Sequence, residues 1–407
     1  MARMALILVE GKTNIPLYVQ YVRVAKRLGL QPITLSADPL QYDCLAPEGI
    51  EVVRVDTDDL GALIHECSRL NVTYDIAGIT SAVELFYATA GKLSRHFDLP
   101  GPNPESIARC CDKVTQRQLL AAAGVPIPAY RVAMEAADVK SAAAEIGLPV
   151  VAKPAVGSGS VGVRLCRSLE ELAEHTTYLL SGEQILRSSP KILVEEFAAG
   201  PQYCIDIMGN EIIGISLLDF SSPPHFAYRE LTCPAVLTDE EHHRIADVSL
   251  GCLRALGLGW GPTGVELRWT QHGPVVIEVN PRLPGSPTPE LIQLAYGVEL
   301  VTEHIKLVIG DEWNLRKSHS QTAIARFLVP DRDGTLDWIT GYNRAAAVSG
   351  VAEVKLYIEP GTAIVRKGDI RDHIGRVIAT SPTHARTEAI LQRAVDLIDW
   401  SITPFST

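Results

Sequence analysis

The chain has 407 residues, 46% of them hydrophobic and 21% charged, with a formal net charge of −11. That length and composition predict an ordinary soluble globular protein of two to four domains or subdomains. The negative balance argues against a broad nucleic-acid or anionic-membrane surface and still permits a local basic pocket for a nucleotide. The eight cysteines form no C-x-x-C pair, and Cys110 and Cys111 are adjacent. Such spacing suits neither zinc nor a secreted disulfide framework, so they read as small buried hydrophobes. No apolar run reaches membrane-spanning length, and the run from Met1 to Glu10 is too short for a signal peptide. The expectation is a cytoplasmic enzyme or binding protein with no nucleic-acid or membrane partner.

Residues 5–11 read as a buried strand, followed by a helix over 17–28 and strands at 32–35 and 51–55. A helix over 59–70, a strand at 75–79 and a helix over 83–97 complete an alternation that predicts a parallel α/β sheet. The breaker Leu99-Pro-Gly-Pro-Asn-Pro104 closes this Rossmann-like first domain, 1–104. Val9-Glu-Gly-Lys-Thr13 lies at the first strand end, yet carries no G-x-G-x-x-G and no G-K-[ST] in frame. The first domain is therefore expected to wall a substrate pocket rather than bind a dinucleotide.

One helix is expected over 105–124, then an extended linker at 125–128 and a helix over 136–146. A strand at 149–154 enters a glycine-rich loop, 156–163, and resumes at 163–166. A helix over 169–180 and a strand at 191–197 complete a second unit, 105–198. The third unit, 199–315, holds a hairpin of strands at 203–208 and 211–218, a helix over 239–256 and a hairpin turning at Gln271-His-Gly273. The last, 316–407, reads as a small α/β unit packing on that core, with strands at 322–329, 351–358 and 376–379 and a helix over 383–398.

The chemistry concentrates in Val275-Val-Ile-Glu-Val-Asn280. Alternation along a strand points Glu278 and Asn280 the same way, and the hairpin faces Glu266 toward Glu278. Oxygen donors of this kind suit a hard cation. A solvated edge or a structural ion pair is the competing reading of a strand carboxylate. Arg282 follows the strand end, where a guanidinium can grip a phosphate or carboxylate. Lys153 precedes the loop Gly157-Ser-Gly-Ser-Val-Gly162, whose glycines let backbone approach a phosphate. A plain Gly/Ser hairpin loop is the alternative there. Lys113, judged by its neighbours alone, is a solvated helical lysine. Glu195 and Glu196 point opposite ways, as one paired and one solvated acid, and their strand end can offer backbone groups to an adenine.

The ordered set of Asp112-Lys113, Val151-Ala-Lys-Pro154 with its loop, Leu193-Val-Glu-Glu-Phe197, Gly264-Val-Glu266 and Ile277-Glu-Val-Asn-Pro-Arg282 resembles the ATP-grasp superfamily. It looks most like the carboxylate–amine ligases, particularly the L-amino-acid (dipeptide) ligases. Asn280-Pro-Arg-Leu-Pro-Gly-Ser286, Pro289-Glu-Leu-Ile292 and Ala295-Tyr-Gly-Val-Glu-Leu300 are close to that subgroup. The resemblance implies an ATP-grasp fold of the α/β class, α+β in its ATP-binding core. An N-terminal parallel α/β domain, a lid subdomain, a central antiparallel-sheet domain and a small C-terminal α/β unit would compose it.

The same resemblance implies ATP and Mg²⁺, with Mn²⁺ as a substitute. Lys113 and Lys153 would hold phosphates, and Gly157, Ser158, Gly159, Ser160 and Gly162 would form the closing lid. Glu195, Glu196, Phe197 and Ala198 would line the adenine and hinge. Glu266, Glu278 and Asn280 would hold the metal. Arg282 would be the catalytic residue, stabilising an acyl phosphate. Gln202 stands where the family has a ribose-binding acid, and Thr263-Gly264-Val265 replaces a Thr-His-x pattern. These departures leave the substrates open.

The implied activity joins a small-molecule carboxylate to an amine with release of ADP and phosphate, and a homodimer is common for such proteins. The loop Ser221–Glu230 would face substrate through Tyr228, Arg229 and Glu230, with Gly285 and Ser286 as further contacts. An exposed loop with an incidental charge pair is the alternative. Gly368–Arg371 and His373 are candidates to approach the site. A carboxylase-type enzyme using bicarbonate and a non-catalytic ATP-binding regulatory protein are the competing functions.

Overall fold

The computed structural model describes residues 3–11, 16–157, 159–181, 191–221 and 224–405, without the side chains of Cys44 and Ala46. Its first sheet is formed by β1 (Arg3–Val9), β2 (Gln31–Ser36), β3 (Glu51–Arg54) and β4 (Tyr74–Thr80), with α1 (Pro16–Arg27), α2 (Leu60–Leu70) and α3 (Glu84–His96) between and after them. The strands run parallel in the order β3-β2-β1-β4. All of β2 and the last five residues of β1 are buried, because helices cover both faces. Asp59 caps α2 by accepting from the Gly61 and Ala62 amides, which fixes where that helix starts.

The helix expected over 105–124 is two helices, α4 (Pro104–Cys111) and α5 (Lys113–Ala122). Asp112 interrupts the run with extended backbone (φ −96°, ψ 109°) and caps α5 through the Thr115 amide, 2.7 Å away. Lys113 thereby becomes the first residue of a new helix, and its amide donates to Ala155 O at 3.1 Å. A lid sheet follows, built from β5 (Tyr130–Ala133), β6 (Val150–Pro154), β7 (Arg164–Cys166) and β8 (Ile192–Glu196) in the antiparallel order β5-β8-β6-β7. Helices α6 (Ala136–Ile146) and α7 (Leu169–Leu180) pack on it.

Among the described residues the largest sheet has eight strands. In chain order they are β9 (Gln202–Met208), β10 (Glu211–Phe220), β11 (Tyr228–Cys233), β12 (Pro262–Thr270), β13 (Gly273–Asn280), β14 (Thr322–Leu328), then β16 (Val351–Leu356) and β18 (Gly375–Ser381) beyond β15 (Gly334–Thr340) and β17 (Ala363–Ile364). Their spatial order is β13-β12-β9-β10-β11-β14-β18-β16, antiparallel throughout. Residues 316–407, expected as a unit packing on the core, thus supply three strands of the core sheet itself. The rest of that segment adds a three-stranded sheet of β17, β15 and β19 (Asp399–Thr403).

The helices here are α8 (Asp239–Leu256), α9 (Thr288–Tyr296), α10 (Leu300–Val308), α11 (Tyr342–Ala346) and α12 (His384–Val395). His304 of α10 fixes the first sheet to this core. One ring nitrogen meets the Tyr21 hydroxyl of α1, and the other lies 3.2 Å from the Tyr87 hydroxyl of α3. Burial pushes its pKa down to about 3, so the neutral imidazole joins three helices. Among the described residues no helix is long and apolar enough to cross a membrane.

Candidate active site

A cavity of about 1020 Å³ lies where the first sheet, the lid and the eight-stranded sheet meet. Pro16, Leu17 and the segment Ala82–Leu85 wall it on the N-terminal side. Residues 12–15, which hold part of the Val9–Thr13 motif, lie outside the described residues.

The acidic edge is built by the β12–β13 hairpin, in which Glu266 is the direct cross-strand partner of Glu278. Glu266, Glu278 and Asn280 all border the cavity. Helix α5 docks along the outer edge of β13 and covers its free backbone groups. Gln116 Nε2 donates to Val279 O at 2.8 Å, the Val279 amide donates back to Gln116 Oε1 at 2.9 Å, and Arg117 Nη2 donates to Ile277 O. One turn earlier on the same helix, Lys113 Nζ lies 2.8 Å from Glu278 Oε1 and donates to Gly157 O at 2.5 Å. Lys113 is buried rather than the solvated lysine that its neighbours suggested.

Burial works against charge at both ends of this pair. Glu278 outweighs it at Lys113 and holds that pKa above the ordinary lysine value, and Lys113 draws the Glu278 carboxyl down. Among the described residues no cation forms an ion pair with Glu266, although Arg282 and Lys113 act on it from farther off. Burial, then repulsion from Glu278, pushes its pKa up to about 7. Two facing carboxylates and an amide fit a hard divalent cation. Among the described residues no group of three or more His, Cys, Asp or Glu is arranged to hold a metal by itself.

A second buried cluster supports Lys153. Its Nζ lies 2.6 Å from Glu195 Oε2, and Arg117 Nε donates to Glu195 Oε1 at 2.6 Å. Burial opposes the Glu195 charge, but the two cations overcome it and pull the carboxyl down to about 2. Arg117 competes for the same carboxylate, so burial leaves the Lys153 pKa below its ordinary value. Glu195 borders the cavity, yet both of its oxygens are engaged in orienting Lys153 and Arg117. Glu196 is the solvated member of the pair.

Gly157, Gly159, Ser160 and Gly162 border the cavity from the lid, while Ser158 lies outside the described residues. Gly159 (φ +67°) and Ser160 (φ +60°) take left-handed backbone that bends the loop. His175 of α7 holds it in place, Nε2 donating to Gly162 O at 3.0 Å. At the hinge, Phe197 and Ala198 border the cavity together with Phe220 and Phe226. The Arg268 guanidinium lies over those three phenylalanine rings, 5.2 to 6.0 Å from their centroids. Gln202 bridges the two ends of the site: its Nε2 donates to Glu266 Oε2 at 2.8 Å, and its Oε1 accepts from Arg268 Nε at 3.0 Å. Arg282 stands in the cavity past Asn280, its Nε donating to Glu84 Oε2 at 2.6 Å.

Residues 112–316 match the family model of the carbamoyl-phosphate synthase L chain ATP binding domain, and 326–403 match L-amino acid ligase C-terminal domain 2. The chain belongs to the ATP-grasp ligase family. Uncharacterized protein y4rH of Sinorhizobium fredii (strain NBRC 101917 / NGR234) is 62% identical to this ATP-grasp chain over 405 residues, 99% of this chain and 84% of that protein. The L-arginine-specific L-amino acid ligase of Bacillus subtilis is 21% identical over 296 residues, 71% of each chain. The crystal structure of L-amino acid ligase from Bacillus licheniformis shares the fold, with a TM-score of 0.81 at 20% identity over 99% of this chain and 100% of that one.

Two substrate candidates of this ATP-grasp protein need correction. Tyr228 borders the cavity, but Arg229 is exposed and pairs with Asp219 at 2.7 Å. Glu230 turns to the opposite sheet face, where its carboxylate meets Arg326 at 2.6 Å. The reason is a β-bulge: Phe220 pairs with Tyr228 and Asp219 with Glu230, so Arg229 is an extra residue and the alternation resets after it. Ser222 and Pro223 of the same loop lie outside the described residues. Gly285 and Ser286 border the cavity, as do Ile370 and His373 from the C-terminal segment. His373 stacks on Phe327 with ring centroids 4.1 Å apart.

Sequence reasoning missed Glu84, Arg117, Gln116 and Arg268. The first three act through partners far along the chain, which no local pattern announces. Arg268 carried a signal, since it stands two residues after Glu266 on one strand face.

Proposed function

We propose that the protein is an ATP-dependent ligase that joins a carboxylate, an amino acid or amino-acid derivative, to an amine. The observation that carries this reading is convergence: Lys113, Lys153, Glu266, Glu278, Asn280 and Arg282 border one cavity although they come from a helix start, the lid and the core sheet. An acid substrate's oxygen attacks the γ-phosphorus of ATP, giving an acyl phosphate and ADP. The amine nitrogen then attacks the acyl carbon, phosphate departs, and the nitrogen loses a proton. Such transfer depends on positioning and charge neutralisation, which this set of residues is built to supply. Glu266, Glu278 and Asn280 would hold Mg²⁺, which when bound screens the phosphate charge. Lys113 and Lys153 would orient the phosphates, the lid loop would exclude water, and Arg282 would meet the transferred phosphoryl group.

The test is incubation of the protein with ATP, Mg²⁺ and pairs of amino acids. The expected outcome is equal amounts of amide and phosphate. ADP formed only when bicarbonate is present, or nucleotide binding without turnover across a broad panel of acids and amines, would sink the reading.

A further inference from the structure

The cations that border the cavity are almost all engaged. Lys113 pairs with Glu278, Lys153 with Glu195, Arg282 with Glu84, and Arg376 with Glu353. Arg268 is held by Gln202 and by the carbonyls of Ala198 and Gly200. Lys355 also borders the cavity, is half-buried, and its ammonium has no hydrogen-bond or ion-pair partner among the described residues.

Its position follows from strand register. Phe327 of β14 stands opposite Arg376 of β18, and Arg376 stands opposite Lys355 of β16. Residues directly opposite across neighbouring strands share a sheet face, so the three form a row, and all three border the cavity. The row adjoins the chemistry. Arg376 Nη1 donates to Ser286 Oγ at 2.6 Å, at the far end of the short loop that begins with Arg282. Tyr357, two residues past Lys355, borders the cavity beside them. Glu353 accepts from Arg376 Nε at 2.6 Å, which leaves the Lys355 charge uncompensated.

We propose that Lys355, flanked by Arg376 and Tyr357, forms a subsite for a substrate carboxylate other than the one that is phosphorylated. This inference rests on the ligase reading and deepens it. An ammonium on the wall of a partly enclosed cavity attracts an anion more strongly than one in open water. The chain as a whole carries a net charge of −11, so a cluster of cations on a cavity wall is a local feature rather than a general one. Leu17 and Leu283, buried together in one cluster with Phe327 packed against it, also border the cavity and suit an apolar body attached to that carboxylate. Two sources fit: the α-carboxylate of an amino acid that serves as the amine, or the second carboxylate of a dicarboxylic acid substrate.

Calorimetry on the whole protein saturated with Mg²⁺ and ADP separates them without turnover. One arm titrates L-amino acids against their carboxamides, and the other titrates dicarboxylic acids against their monoamides. Wild type should bind an acid more tightly than its amide in one arm, which names the source. Lys355→Gln should weaken that acid at least ~10-fold while leaving the amide and ADP unchanged, and Lys355→Arg should restore the preference. Wild-type protein with no acid preference in either arm, or a Lys355→Gln variant with the wild-type ratio, would overturn the proposal. A failure of the ligase reading shows separately, as absence of amide in the turnover assay.

Discussion

Arg282 Nε donates to Glu84 Oε2 at 2.6 Å, tying the loop beyond the acidic hairpin to the first turn of a helix in the N-terminal sheet. The guanidinium is thus aimed by a residue almost two hundred positions earlier. Glu84→Gln keeps the shape and removes the charge that orients Arg282. Turnover should fall about tenfold, equivalent to about 1.4 kcal/mol, with ADP affinity unchanged. Steady-state kinetics beside nucleotide titration checks this, and equal loss in both would move Arg282 away from the transferred group.

Glu278→Gln should reduce turnover by about a hundredfold or more, because one neutral amide replaces both a carboxylate proposed to hold Mg²⁺ and the partner of Lys113. The fold should persist, since the β13 edge is clasped by Gln116 and Arg117 through backbone groups. Mg²⁺ titration and thermal unfolding read the two effects apart. Unchanged activity would remove Glu278 from the site.

Glu195 carries a pH-dependent part of the stability. Its carboxyl is drawn from 4.5 down to about 2 in the folded protein, so this contribution is complete above about 4.5 and fades as pH falls from there toward 2. Glu195→Gln strands Arg117 and Lys153 as buried cations and should cost on the order of 3 kcal/mol at pH 7. Urea unfolding at pH 7 and pH 3 should show the gap between variant and wild type shrinking in acid. A gap independent of pH would contradict this.

The lid comes close to the C-terminal segment at Gly159. A Cβ on Gly159 would lie 2.6 Å from Ile370 Cδ1, and the backbone there has φ +67°. Gly159→Ala should strain the loop by about 1–2 kcal/mol and raise the KM for ATP. Adding Ile370→Ala relieves the steric part and should recover some of the loss. A double variant no better than Gly159→Ala would leave backbone strain as the whole effect.

Helices and hairpins were legible where a cap or turn residue coincided with a period. α7 begins at Ser168, which caps the Glu171 amide, and α8 begins with the Thr238–Glu241 capping box and ends at left-handed Gly257. The break at Asp112 was hidden because the apolar period continues across it. The Asp-x-x-Thr spacing was its only local sign. The facing of Glu266 and Glu278 followed from alternation, whereas the bulge at Arg229 reversed the same rule for Glu230. Lys113 looked solvated because its burial is created by β13, whose Glu278 lies far along the chain. The reach of the tail into the core sheet was also invisible, since strand order depends on pairings that no local window contains.

The seam between β11 and β14, where Glu230 to Cys233 pair with Arg326 to Ala323, has a bearing on how this enzyme class diversifies. The tail is woven into the ladder of the core, so it is not an exchangeable cassette. A chimera cut near residue 316 must rebuild that seam before it can fold. Point exchanges along the Phe327–Arg376–Lys355 row leave every backbone pairing intact. New preferences should therefore be easier to reach by editing that margin than by recombining domains.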